Sequence, residues 1–190
     1  MGEGTQDKKH GVLPGRMGIV RKPKLTEIAA IKALLDKAAE EGQVLPRELA
    51  ELYTNVRDFY VYIDPEGEVG GCAALHIDMV DLAEVRSLVV RDDLRGRGIG
   101  ERLVQAVVDE ARVLEIARVY AFTRVPGFFE RINFRLVDKQ DLPYKVFKDC
   151  MRCALFPGCD ELAFVKDLGP RKEDEHLALG ALGIRRDLGD

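Results

Sequence analysis

The stretch RDDLRGRGIGERL, Arg91 to Leu103, places Gly96, Gly98 and Gly100 beside Arg95 and Arg97 where a helix ought to begin. Glycine weakens a helix interior by about 1 kcal/mol relative to alanine, so three glycines so close together serve something other than helix propensity. The stretch follows an apolar run ending at Val90. The segment after it, GIGERLVQAVVDEARVLE, carries Ile99, Leu103, Val107 and Leu114 on one helical stripe. A helix's first turn has unpaired backbone N–H groups, and its dipole adds about half a positive charge there. Glycines let an anionic ligand reach that backbone without striking a Cβ, and Arg95 and Arg97 add charge at the mouth. The pattern is that of a phosphate cradle. It is not a Walker A loop, because no Gly-Lys-Ser/Thr follows, and the Arg-x-x-Gly-x-Gly spacing differs from the dinucleotide fingerprint. Spacing alone also fits a flexible strand-to-helix turn with solvated arginines.

Working outward, GIVRKP reads as a short strand, and LTEIAAIKALLDKAAEEG sets Ile28, Ile31, Leu34, Leu35 and Ala38 on one helical face before stopping at Gly42. PRELAELYTN reads as a second, shorter helix with proline at its start. FYVYID, a turn at Pro65-Glu66-Gly67, and EVGGCAALHI form a hairpin. AEVRSLVV is the strand before the cradle, RVYAFT a strand beyond its helix, PGFFERI a short helix, and ELAFVKDL a last strand. A helix pair, antiparallel strands and one strand–helix–strand unit describe an α+β domain around a mixed sheet. Residues 1–17 are Gly-rich, polar and aperiodic and read as a flexible N-terminal tail, 18–168 as the domain, and 169–190 as a C-terminal tail opening at Gly169-Pro170.

The bulk properties narrow the function. A chain of 190 residues, 46% apolar and 33% charged, fits one soluble domain. Its net charge of −4 is too small and of the wrong sign for a general nucleic-acid or membrane binder. No apolar run is long enough to span a bilayer, the start lacks a secretory signal's apolar core, and four cysteines are too few for a disulfide scaffold, so a cytoplasmic location is expected. Cys150, Cys153 and Cys159 have the look of half a zinc site, but no fourth cysteine or histidine follows at suitable spacing, and no metal is expected. His76 lies in a strand pattern and reads as structural.

Arg95-Gly96-Arg97-Gly98-Ile99-Gly100 after a strand, with its ERL continuation, resembles the acetyl-CoA pyrophosphate loop of the GNAT N-acetyltransferase superfamily, over about residues 18–168. The resemblance implies a GNAT fold: a mixed, mostly antiparallel twisted sheet with helices on both faces, and acetyl-CoA in the cleft between the central strands. It implies that N–H groups from Arg97 to Glu101 hold the pyrophosphate, and that the strand edge at Leu88, Val89 and Val90 pairs with the pantetheine amides. FTRVPGFFERINF and LPYKVFKDCMRCALFPGCDELAF are similar to the C-terminal signature of the short-form N-acetylglutamate synthases, which lack an amino-acid-kinase domain. Two departures stand out. Asn133 replaces the usual glycine, at a left-handed position asparagine tolerates, and Phe147 replaces a frequent tryptophan. The activity implied is acetylation of the α-amine of L-glutamate for arginine biosynthesis, in a possible homodimer. Glutamine or another amino acid, a polyamine or a protein amine are alternative acceptors, and a non-catalytic CoA-binding module is an alternative of another class.

Acetyl transfer from a thioester needs a neutral amine, a polarised carbonyl and a protonated or hydrogen-bonded leaving thiolate. Amine pKa values run from about 7.7–8.0 for a peptide α-amine to about 10.4 for lysine, so deprotonation near pH 7 costs from about 1 to nearly 5 kcal/mol. A carboxylate can take that proton. Glu84 opens the strand before the cradle and resembles the glutamate base of several GNAT enzymes. Strand alternation puts it on the face of Arg86, so simple pairing with Arg86 is the competing reading. The N–H near Val89 is placed to polarise the carbonyl, and Tyr120, Thr123 and Tyr144 are the candidate general acids. An amino-acid acceptor brings carboxylates that need cations when desolvated, for which Arg86, Lys145 and Arg152 are the candidates, with Arg124 a weaker one. Phe128 and Phe129 are expected to pack the core on one side and the CoA arm on the other, with Phe129 assigned to the cofactor.

Overall fold

A computed structural model describes residues 17–142, 151 and 158–170. Seven strands form one sheet in the order β1-β2-β3-β4-β5-β7-β6. The strands are β1 (Ile19–Arg21), β2 (Phe59–Ile63), β3 (Val69–Met79), β4 (Leu82–Val90), β5 (Arg118–Thr123), β6 (Arg135–Val137) and β7 (Leu162–Asp167). Every neighbouring pair is antiparallel except β4 and β5, which α3 (Ile99–Val113) connects. The remaining helices are α1 (Ile28–Glu40), α2 (Leu49–Thr54) and α4 (Pro126–Arg131). This is the α+β architecture expected from the pattern.

The two faces of the sheet carry separate cores. On one, Ile28, Ile31 and Leu35 of α1 and Leu52 of α2 pack on Phe59, Val61, Cys72, Ala74 and Val89. On the other, Leu103, Val104 and Val107 of α3 pack on Ala73, Leu75, Ala83, Val85 and Val119. At about 25 cal/mol per Å² of apolar surface removed from water, these two layers supply the main drive for folding. Alternation along β3 therefore assigns each residue to a helix layer, and a one-residue slip would exchange the two.

The turn joining β2 to β3 anchors the start of the cradle. The Asp64 carboxylate accepts the Glu66 and Glu68 N–H groups at 3.1 and 2.9 Å, and Arg91 Nη2 donates to it at 2.9 Å. Burial alone would raise its pKa, but the Glu68 N–H and the Arg91 guanidinium outweigh that and hold it below the ordinary value. A depressed carboxylate stabilises the fold above its unfolded pKa of about 3.9 and loses that contribution as pH falls through the lower folded value. Asp64→Asn keeps an oxygen for the turn but loses the charge. It should cost about 1–2 kcal/mol at pH 7, limited because Arg91 is partly screened by solvent. The gap to the parent in urea melts should close as pH drops below about 3.9.

Candidate active site

Strand β4 makes the site by failing to stay flat. Cys72 pairs with Val89 and Ala74 with Arg86, so β4 spends one more residue than β3 between those pairs. The extra residue is a bulge at Ser87, whose φ of 54° lies in the left-handed region. Opposite it, the buried Cys72 thiol donates to the Ser87 carbonyl at 3.4 Å. Burial pushes that thiol up to about 12, which keeps it a neutral donor. Before the bulge Ala83 and Val85 join the α3 core; after it Leu88 and Val90 do, while Val89 turns to the α1 core.

The β4–β5 ladder contains only Leu82–Arg118, Ala83–Val119 and Glu84–Tyr120. Beyond it β4 runs on to Val90 along β3, and β5 runs on to Thr123 along β7. Two parallel strands thus separate partway up the sheet, leaving the facing edges of Val85–Val90 and Ala121–Thr123 without pairing to each other. Buried backbone N–H and C=O groups require partners, and an extended chain carrying amides can supply them as an added strand would. Leu88, Val89 and Val90 present this edge through their backbone, since their side chains belong to the cores.

At the top of β4 the chain enters the cradle. Gly96 and Gly98 both have φ of 74°, and a Cβ on either would project into open space. Gly98 is the N-cap of α3, and the Arg102 N–H bonds its carbonyl at 3.1 Å. The N–H groups of Ile99, Gly100 and Glu101 therefore stand ahead of the helical ladder. Gly100 is small for another reason: a Cβ there would lie 3.2 Å from the Phe128 ring. Ile99 is buried and contributes its backbone alone. The acids opening the loop are already occupied, Asp92 by Lys37 and Arg95, and Asp93 by Arg91. Arg97 donates to the Asp93 carbonyl at 2.9 Å, a neutral partner that leaves its charge for an anion. Gly98→Ala forces an alanine into the left-handed region at about 1–2 kcal/mol. It should lower the melting temperature by about 3–6 °C and raise the KM for acetyl-CoA about tenfold, as the next turn's N–H groups shift.

On the α1 face, where β4 parts from β5, lie Glu84 at the last paired position and Arg86 just beyond it. Arg86 is nearly buried, its side chain 9% exposed, and its Nη2 lies 3.9 Å from Glu51 Oε1 on α2. The same oxygen accepts Arg47 Nη1 at 2.9 Å, and the Arg47 Nε is buried without a hydrogen-bond partner. Two largely buried guanidinium groups thus approach one carboxylate of α2, and guanidinium is the group that clamps a carboxylate most specifically. Arg47 was not singled out in the sequence. It sits one residue after Pro46, in what reads as the first turn of a helix, whereas α2 begins only at Leu49.

The other candidates divide. The Tyr120 O–H donates to Asp78 Oδ2 at 2.7 Å. Burial first, then the Glu84 charge and the Asp78 bond, raise its pKa far above the ordinary value, so its proton is committed and it is unsuited as the general acid. Thr123 is buried and accepts the Val125 N–H at 2.9 Å. Arg124 is bound to Asp160 at 2.6 Å and to the Gly42 carbonyl at 3.2 Å, while Arg95 donates to the Gln43 side chain at 3.0 Å. The α1–α2 connection is thereby tied to residues following both β4 and β5. Phe129 corrects an expectation: it is buried in the α3 core against Phe134 and Phe164. Its half-buried neighbour Phe128, on Gly100, is the ring that borders the cradle. Asn133 has the expected left-handed φ, 63°. Lys145, Arg152, Tyr144, Phe147, Cys150 and Cys153 lie outside the described residues.

The acetyltransferase (GNAT) family model matches residues 29–134, more than half of the chain. The chain belongs to the GNAT family. An uncharacterized N-acetyltransferase of Chlorobaculum tepidum is 37% identical over 159 residues, 82% of this chain and 100% of the relative. An amino-acid acetyltransferase of Mycobacterium tuberculosis is 34% identical over 137 residues, 70% of this chain and 78% of the relative. N-acetylglutamate synthase from Neisseria gonorrhoeae, solved with coenzyme A and N-acetyl-glutamate, superposes with a TM-score of 0.73 at 26% identity. The match covers 82% of this chain but 36% of that larger one. This GNAT chain is an acetyl-CoA-dependent N-acetyltransferase, and its seven-stranded open sheet is the GNAT fold. Among the described residues no group of three His, Cys, Asp or Glu could hold a metal ion, and no helix is long and apolar enough to cross a membrane.

Proposed function

We propose that this GNAT enzyme transfers the acetyl group of acetyl-CoA to the α-amine of a free amino acid, L-glutamate, the reaction that opens arginine biosynthesis. The observation that carries the reading is the shared carboxylate: Arg47 and Arg86, both largely buried, converge on Glu51 beside the candidate base Glu84. A site for a polyamine would place anions there. The names of the relatives, amino-acid acetyltransferase and N-acetylglutamate synthase, support the same class of acceptor.

In this reading the N–H groups from Arg97 to Glu101 hold the pyrophosphate and the Leu88–Val90 edge pairs with the pantetheine amides. The thioester then lies where β4 and β5 part. Glu84 takes the amine proton, the Val89 region polarises the carbonyl, and Arg86 with Arg47 holds acceptor carboxylate; Lys145 and Arg152 are proposed as further clamps. Mass analysis of the product from glutamate and acetyl-CoA tests the reading. One acetyl on the α-nitrogen per CoA released supports it. CoA released without an acetylated amino acid, or CoA bound without turnover, overturns it, the latter in favour of a binding module.

A further inference from the structure

His76, Asp78 and Asp58 form a cluster of titratable groups beside Glu84. His76 stands directly opposite Glu84 in the β3–β4 ladder, so the two side chains share a face with Cβ atoms about 5 Å apart. The imidazole Nε2 lies 3.8 Å from Asp78 Oδ1, and Nδ1 lies 3.9 Å from Asp58 Oδ2. Asp78 is sealed from solvent, its side chain 1% exposed, and its other oxygen accepts the Tyr120 O–H. Tyr120 is itself the neighbour of Glu84 on the β5 side. Exposure rises outward, to 22% at His76 and 32% at Asp58, which lies on the short helical turn before β2.

We propose that His76, held between Asp78 and Asp58, is the outlet through which Glu84 discharges the proton it takes from the acceptor. The inference rests on the reading of Glu84 as the base. Each turnover leaves a proton on a half-buried carboxylate, and the enzyme cannot accept another ammonium until that proton leaves. An imidazole can take a proton at one nitrogen and release one from the other. Among the described residues, the charged groups on this face include Glu84 from β4, Asp78 from its own strand and Asp58 from the turn before β2, with Tyr120 from β5 behind Asp78 and Arg86 two residues beyond Glu84. The proton moves from the acceptor nitrogen to Glu84, then to the His76 ring, and from Nδ1 to Asp58 and bulk water. Only N–H and O–H bonds change. Asp78, held by the Tyr120 O–H at 2.7 Å, is a positioning residue beside the ring.

Chemical rescue of the full-length enzyme is the test, with imidazole as the probe. His76→Ala should lower kcat about tenfold, less than loss of a direct base would, with the KM for glutamate within twofold of the parent. Added imidazole should restore kcat in a saturable way. In His76→Gln, which fills the site without carrying a proton, kcat should rise with buffer concentration while the parent's does not. Unchanged kcat in both variants, or a loss that neither imidazole nor buffer reverses, overturns the outlet. Glu84→Gln separates this from failure of the base itself. If Glu84 is the base, that variant stays inactive at any imidazole concentration, whatever His76 does; if its kcat matches the parent's, the reading of Glu84 falls first.

Discussion

Glu84→Gln should lower kcat by about 10²–10⁴-fold while leaving the affinity for CoA within twofold. The glutamine is isosteric and keeps hydrogen-bonding capacity on the β4 face, so the fold and the β3 and β5 pairings of this position survive. In the proposed mechanism, what disappears is the acceptor for the amine proton. The proposed cradle lies on a separate element, beyond the bulge at Ser87 and the end of β4, so CoA affinity should hold. The pH–rate profile should lose the acidic limb set by a carboxylate and follow the ionisation of the acceptor amine alone. A parent-like profile, or a kcat within threefold of the parent, removes Glu84 from the chemistry.

Arg86→Leu carries the second large effect. Its guanidinium is nearly buried, and a charge-assisted bond to a substrate carboxylate in such a place is worth about 2–3 kcal/mol, or about 30- to 150-fold in kcat/KM for glutamate. The KM for acetyl-CoA should not move. Arg86→Lys should recover only part of the loss, since an ammonium cannot clamp a carboxylate in two places. Equal losses for acceptor and acetyl-CoA would mean that Arg86 supports the sheet and not the substrate.

Much of this was legible before any coordinates. The turn before α3 was written in Gly96 and Gly98, because a left-handed φ selects glycine over every other residue. The helix faces of α1 and α3 followed from apolar spacing, except that Leu114, expected on the α3 stripe, lies just past the helix end and is exposed, and Asn133 announced its own left-handed turn. The bulge was not legible. Ser87 is an ordinary strand residue in AEVRSLVV, and its positive φ is imposed by pairing with β3, with the Cys72 thiol taking its carbonyl. The separation of β4 from β5 was unreadable for the same reason: it depends on where a ladder ends, not on what its residues prefer. Arg47 is hidden by the late start of α2, and the adjacent Phe128 and Phe129 look alike until α4 turns Phe129 into the core.

The measurement that most directly tests whether this is an amino-acid acetyltransferase is thiol release from acetyl-CoA. It is run across free amino acids, including glutamate and glutamine, together with polyamines and a lysine peptide. The paired guanidinium groups predict turnover with acidic or amide amino acids and none with polyamines, with glutamate ahead of all others. Turnover led by a polyamine or the peptide would contradict the reading of the acceptor site outright, while leaving the cradle and its glycines where they stand.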